Sequence, residues 1–486
     1  LISARSSLVG ILLNLLIFLQ SCAVNPATGE RELSFVSEAQ EIQMGRQADP
    51  AATAQFGGLY PDEQLQAYVT ELGMSVAAVS ERPDLPWSFK LVDHELINAF
   101  ALPGGYIYIT RGILGNMNSE AELVGVLAHE VGHVTARHAA QRITQQQLGM
   151  ITLIGGALIS ETVRSNTEAF MQALQLLSLQ YSRADEAQSD ELGYRYMLRT
   201  RHDPHGLSDV MRMLQSTSPS AEEMGVPGWM LSHPEPGDRV AANERRISRS
   251  QMNFSDFRTG RDEFLQRLDG MVFGEDPRQG YFIEQRFIQP QLAFELTFPG
   301  GWATQNSPQS VQAGAPGRDA AMQLSIADAA SPEAGLSQFL QQQGLTVNQT
   351  AHQELNGLNA AWADFSISPA AGQPVQGYVL YAAKGEIVYQ VIGFALAARW
   401  DLYGPALADS IMSFRPLQND RYREVSPHRI NLVRLPSAMT AREYLDRYSS
   451  SVDDDAVLLA NQVSADQRLE QGRLMKQITG GSIPSR

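Results

Sequence analysis

The sequence predicts a multidomain fold: a mainly α domain with a small β-sheet, then an α/β domain, then a small βααβ module. Three observations carry this reading. The chain has 486 residues, enough for roughly three domains that each bury a core. Helical spacing of apolar residues dominates the first half, with one strand-rich interruption. Past Gly274-Glu275-Asp276-Pro277, a linker by its turn chemistry, the pattern changes to strands, and a last unit opens near Pro427. The boundaries that follow are a tether over 22–37, the α domain over 38–265, a linker over 266–282, the α/β domain over 283–417 and the module over 425–482.

In the first domain, Leu102-Pro103-Gly104-Gly105 breaks the chain before Tyr106-Ile107-Tyr108-Ile109-Thr110, a short strand rich in aromatic and β-branched residues. Ser119 and Glu122 have the spacing of a capping box. They start an amphipathic helix whose buried stripe is Leu123, Val126, Leu127, Val131 and Val134. The apolar run 149–159 is too short and broken to span a membrane and reads as a buried core helix or a plug near the cleft. A helical region continues to about Thr200, a Pro- and Ser-rich section surrounds His233, and 239–268 looks helical and polar. In the second domain, strands 376–383 and 386–394 flank Lys384-Gly385, a hairpin signal, and 400–413 reads as an amphipathic helix. In the third, a strand over 430–433 precedes a helix capped by Thr440, a second helix over 453–461 and a strand over 475–478.

The chemistry concentrates at His129-Glu130-Val131-Gly132-His133. Residues i and i+4 of a helix lie about 40° apart around its axis, so both imidazoles leave one face. Neutral imidazole nitrogen binds zinc well, and two ligands one turn apart can share one tetrahedral ion. Glu130 stands beside the first ligand, placed to take a proton from metal-bound water. A third protein ligand is needed. Glu186 and Asp190 form an i, i+4 carboxylate pair, one able to bind metal and the other to accept a hydrogen bond from a ligand imidazole. His138, nine residues after His129, would lie about 180° round a continuous helix and is set aside. His94, His202 and His205 read as ordinary polar residues, the last two separated by Pro204. The segment 98–110, beginning Asn98-Ala99-Phe100, offers a strand on which an extended peptide could pair, presenting its scissile carbonyl to the metal.

These residues resemble zinc metallopeptidase family 48, the gluzincins that include HtpX-like and CAAX prenyl protease enzymes. The likeness rests on His129-Glu130-x-x-His133, Glu186-x-x-Ser189-Asp190, the run Asn98 through Gly105, and Ser232-His233-Pro234 followed by Arg239. It spans residues 33–249, and departs where Ser189 replaces the usual Ala. It implies one Zn2+ per chain held by His129, His133 and Glu186, with Glu130 as catalytic base, and Asp190 and Arg239 behind the ligands. His233 is implied either as a resting-state zinc ligand or as a catalytic group polarising the oxyanion; a hydrogen-bonded loop histidine is the plain alternative.

The N-terminus has Arg5, an apolar run over 8–19 and Leu19-Gln20-Ser21-Cys22, which resembles the lipobox of bacterial lipoproteins. The implied processing removes 1–21 and acylates Cys22, the one cysteine in the chain, so no intrachain disulfide is expected. Ala23-Val24 lacks the aspartate that retains some lipoproteins at the inner membrane, which favours an outer-membrane anchor facing the periplasm, with contact to the bilayer by lipid only. A net charge of −16 argues against nucleic acid as the main partner. Residues 280–416 resemble the PsbP/Mog1-like α/β sandwich, and 427–480 a divergent LysM-like module, implying either peptidoglycan contact or a small structural cap. The expected function is a zinc metalloendopeptidase acting on misfolded or unassembled envelope proteins. The rivals are a chaperone-like binding protein with its zinc site closed by His233, and a peptidoglycan-directed hydrolase.

Overall fold

The computed structural model describes residues 22–154, 181–217, 233, 237–342, 344–368 and 372–484. The expected signal segment 1–21 lies outside them, as do residues 155–159 of the run 149–159. The chain divides into two compact units, 1–274 with 429–479, and 275–428 with 480–486.

The first unit opens with a short β1–β2 pair (Cys22–Val24, Arg31–Leu33), then α1 (Glu38–Gln55), capped by a reciprocal Ser37–Gln40 box, and α2 (Glu63–Ala77), capped by Asp62. A three-stranded sheet follows, ordered β3 (Ser88–Val92), β5 (Tyr106–Thr110), β4 (Ala99–Leu102), with β3 parallel and β4 antiparallel to β5. The turn between β4 and β5 needs its glycines. Gly104 sits at φ 80°, and a Cβ there would stand 2.6 Å from the Ile42 backbone. The predicted strand 106–110 is β5 residue for residue.

After α3 (Arg111–Asn116) comes α4 (Glu120–Thr135), the helix of the two-histidine motif. Ser119 caps it, but the Glu122 carboxylate reaches past the cap to the Asn118 N–H at 2.9 Å, so the box is not closed on Ser119 itself. The amphipathic stripe expected here is also too narrow: every residue of α4 is buried. The helix is enclosed by β4, α2 and two following helices, α6 (Arg183–Arg199) and α7 (His205–Ser216), so even its polar face meets protein. Between them, α5 begins at His138 and runs to Ile154. The close crossing of α4 and α6 depends on two small residues. A Cβ at Gly132 would come within 3.1 Å of the Ser189 carbonyl, and one at Gly193 within 3.3 Å of the His129 nitrogen. Helices α8 (Gly237–Ser250) and α9 (Arg261–Leu268) complete this part.

The second unit is built on a seven-stranded sheet whose strands lie in the order β12 (Leu345–Leu355), β13 (Leu358–Ile367), β14 (Val375–Lys384), β15 (Ile387–Leu396), β11 (Ala320–Ile326), β10 (Ser310–Gly314), β9 (Ala303–Asn306), with α10 (Pro332–Leu340) and α11 (Trp400–Met412) packed on it. It also holds a four-stranded sheet of order β16 (Arg415–Pro416), β8 (Phe294–Thr297), β7 (Arg286–Gln289), β6 (Tyr281–Ile283). Strands β14 (Val375–Lys384) and β15 (Ile387–Leu396) form the expected hairpin. Lys384 is its last paired residue, so the loop is Gly385-Glu386, with Gly385 at φ 61° in the position where a type II′ turn wants glycine.

The chain then returns to the first unit. Strand β17 (Ser426–Arg434), α12 (Ala441–Arg447), α13 (Asp454–Asn461) and β20 (Leu474–Ser482) follow the predicted βααβ order, with β17 paired to β20. Ile430, Leu474 and Ile478 belong to the same apolar core as Leu123 and Val126 of α4. Buried Lys476 donates to the carbonyls of Gly115 (2.8 Å), Met117 (2.5 Å) and Ala460 (3.0 Å). No helix among the described residues is long and apolar enough to cross a membrane.

Candidate metal centre

His129 and His133 turn their Nε2 atoms toward each other, 3.0 Å apart. Glu186, brought in on the first turn of α6, places Oε1 3.3 Å from His133 Nε2 and Oε2 3.5 Å from His129 Nε2. His233 adds Nδ1 at 2.8 Å from Glu186 Oε1, and candidate ligand atoms of all four residues lie within 4.8 Å of one another. A Zn–N distance of about 2.0 Å puts tetrahedral ligands about 3.3 Å apart, so the His129–His133–Glu186 triangle has the dimensions of a zinc face. The donor set fits a borderline-soft cation, two neutral nitrogens and one carboxylate. Further, Glu130 Oε2 and His233 Nε2 are buried without a hydrogen-bond partner among the described residues, and buried polar atoms in a functional cluster point to a missing ligand or water.

Behind the ligands, Asp190 approaches His129 Nδ1 at 3.0 Å. Arg239 forks onto Asp190 at 2.7 and 2.8 Å and reaches Glu186 Oε2 at 2.6 Å. Asp190 and Arg239 thus lie beside the cluster. Burial alone would raise both carboxyls, but His233 and Arg239 hold Glu186 well below its usual range, and Arg239 likewise lowers Asp190. His129 is opposed by burial, yet its bonds to Asp190 and Glu186 lift it to about 9. Burial drives His133 well below the ordinary histidine value and raises Glu130.

Of the three strand residues singled out, Ala99 lines a small pocket together with His129, Glu130, His233 and Arg239. Asn98 is buried; its carbonyl accepts from the Thr110 N–H and its own N–H donates to the Thr110 hydroxyl, each at 3.1 Å. Phe100 points the other way, stacked on Tyr108 in the core beneath α1. Strand β4 is the outer strand of its sheet, and its side facing away from β5 carries no partner strand among the described residues.

Two residues were missed. Tyr181 stacks on the His133 ring at 3.9 Å, and nothing in its sequence context signals this. His138, set aside as lying on the wrong face, is in fact beside His133, with the two Nδ1 atoms 2.9 Å apart. The premise of a continuous helix fails: α4 ends at Thr135, Arg137 takes φ 62°, and α5 restarts at His138.

Two histidines one turn apart, met by a glutamate from a later helix, form a cluster of the kind that can hold a catalytic metal. Residues 63–247 match Peptidase family M48. The chain is 27% identical over 246 residues to the Beta-barrel assembly-enhancing protease of Escherichia coli (strain K12), covering 48% of each chain. It is 26% identical over 231 residues to the Mitochondrial metalloendopeptidase OMA1 of Schizosaccharomyces pombe, 47% of this chain and 67% of that one. For Metalloendopeptidase OMA1, mitochondrial, of Homo sapiens, the identity is 24%, with 46% and 45% covered. The chain spans about half the length of the first of these curated relatives. The solution structure of PsbP from Synechocystis sp. PCC 6803 matches 28% of this chain and 95% of its own at 13% identity, TM-score 0.23. The Saccharomyces cerevisiae Ran-binding protein Mog1p matches 28% and 97% at 10% identity, TM-score 0.23, and likeness at this level fixes neither fold nor function.

Proposed function

We propose that the chain is a zinc-dependent metalloendopeptidase of the bacterial cell envelope, with one zinc ion held by His129, His133 and Glu186 and with Glu130 as base. The observation that carries this reading is the buried triangle of two Nε2 atoms and the Glu186 carboxylate, with sides of 3.0 to 3.5 Å. The relatives' names, protease and metalloendopeptidase, support it.

Bound there, zinc would polarise the scissile carbonyl and make a water acidic enough to lose its proton near neutral pH. The chain's own groups do the rest. Glu130, raised by burial, takes that proton and passes it to the leaving amine. Arg239 and Asp190 hold Glu186 and His129 in place. The unpaired edge of β4 aligns an extended peptide by strand addition, with Ala99 at the pocket wall.

The natural substrates on this reading are misfolded or unassembled envelope proteins, met in the periplasm by an enzyme acylated at Cys22 and held at the outer membrane. The PsbP/Mog1-like unit acts as a spacer or binding module. The LysM-like segment contacts peptidoglycan or caps the catalytic unit.

The test is cleavage of a casein-type protein by the full, zinc-loaded chain. Chelation should abolish cleavage and added zinc restore it. Chelator-resistant cleavage would refute the metal mechanism, and release of muropeptides from sacculi without proteolysis would favour the peptidoglycan hydrolase instead.

His233 sits close enough to act as a fourth ligand, its Nδ1 2.8 Å from Glu186 and its Nε2 3.5 Å from Glu130. If it closes the site at rest, His233→Ala should raise peptide turnover several-fold with zinc content unchanged. A loss of turnover with zinc retained would assign it to the oxyanion instead.

A further inference from the structure

We propose that His138 is a positioning residue for the metal: the chain His133–His138–Gln188 fixes the ring orientation and tautomer of the zinc ligand His133. The inference rests on the zinc reading above and adds a residue outside its ligand set.

The proton accounting follows from the distances. His133 directs Nε2 into the cluster, 3.0 Å from His129 Nε2 and 3.3 Å from Glu186. To offer that lone pair to a cation, His133 must carry its proton on Nδ1. Nδ1 faces His138 Nδ1 at 2.9 Å, which can accept only if His138 is protonated on Nε2. His138 Nε2 in turn lies 2.8 Å from Gln188 Oε1, an amide oxygen that accepts. Every nitrogen in the chain then has one partner and one role. The Ser189 hydroxyl, where the family motif has a methyl, sits 3.5 Å from the same His138 nitrogen.

The two zinc ligands are thus steadied by different groups. His129 leans on a carboxylate, Asp190, itself neutralised by Arg239. On the zinc reading, Arg239 and the two charges of the ion already balance the buried carboxylates Glu130, Glu186 and Asp190, so a carboxylate behind His133 would add a negative charge in excess. A neutral imidazole orients the ring without adding charge. The backbone turn is built for this. Arg137 accepts a left-handed conformation at φ 62°, uncommon for a residue with a Cβ, while its guanidinium is tied to Glu41 and to the Val36 carbonyl. That turn breaks the helix and swings His138 back onto His133.

The experiment compares zinc affinity, by competition with a chromophoric chelator, and the visible spectrum of the Co2+-substituted full-length chain, for wild type, His138→Ala, His138→Gln and Gln188→Leu. His138→Ala should weaken zinc about 10- to 100-fold and shift the Co2+ bands. His138→Gln, whose side-chain oxygen can accept from His133 Nδ1, should recover most of that loss. Gln188→Leu, which frees the far end of the chain, should give an intermediate loss. Wild-type affinity and spectrum in a folded His138→Ala protein would overturn the inference alone. Should His138→Ala fail to fold, a His138→Gln protein as weak in zinc as a ligand knockout, or a Gln188→Leu protein indistinguishable from wild type, would overturn it. A wild-type chain that binds no zinc would overturn the metallopeptidase reading with it.

Discussion

Glu130→Gln is expected to keep the fold and one zinc per chain while lowering kcat for peptide cleavage by about 10²- to 10⁴-fold, the usual worth of a positioned general base. The substitution is nearly isosteric, so packing in this fully buried helix is undisturbed. The amide can still accept a hydrogen bond, but it cannot take a proton from water. Burial raises the Glu130 carboxyl, and the neighbouring His233 and His129 offset that only in part. A raised carboxyl holds a proton more readily, which suits a base that must accept one from water. The contrast with Glu186 makes the test specific. Glu186→Gln should lose zinc as well as turnover, because its two oxygens face His133, His129 and Arg239. Metal analysis beside turnover of a quenched fluorescent peptide separates the two. Unchanged turnover in Glu130→Gln would remove Glu130 as base.

The parts of this site that could be read in advance are those governed by local periodicity. Helical spacing alone puts His129 and His133 on one face, and Glu186 with Asp190 on another, and the structure brings these faces together. Strand β5 was legible because its alternation is short, clean and bounded by Pro and Gly. What could not be read depends on contacts between distant segments. Nothing near Ala136-Arg137 carries a glycine or proline to announce a helix break; the break is held by Glu41 and Val36, about a hundred residues away in sequence. Tyr181 reaches His133 only because α6 crosses α4 closely at Gly132 and Gly193, a fact of packing and not of pattern. The amphipathic stripe predicted for α4 was too modest for the same reason: its polar residues are buried because they meet one another and the C-terminal segment. The return of residues 429–479 into the first unit has no local signature at all.

That return supplies the largest stability effect expected in the molecule. Lys476→Met should destabilise the first unit by about 3–5 kcal/mol, the range for removing one partner from a buried charged network. The Lys476 ammonium has three donors and meets three carbonyls, those of Gly115, Met117 and Ala460. Burial lowers its affinity for a proton and raises that of Glu122, and each charge partly offsets the other's burial. Glu122 lies in the first turn of α4 and also accepts from Gln462 at 2.6 Å, while Asn118 donates to the Ala460 carbonyl at 3.0 Å. Truncating Lys476 to an apolar chain of similar length takes a donor from all three carbonyls, of which only that of Ala460 keeps the Asn118 amide, and leaves Glu122 without its counter-charge. Glu122→Gln alone should cost less, since Gln462 and Asn118 can still bond an amide oxygen. In the double variant the two losses should not add, because the charge whose absence strands the other is gone. Chemical denaturation of the full chain, followed at the first unit's transition, measures this; a shift under about 1 kcal/mol for Lys476→Met would contradict it. The consequence for chemistry is direct. Two of the carbonyls that Lys476 gathers, those of Gly115 and Met117, end α3 just before α4, whose first turn holds Glu122 and which carries His129 two turns later. Hydrogen exchange at residues 115–122 should therefore quicken in Lys476→Met before the zinc ligands themselves are disturbed.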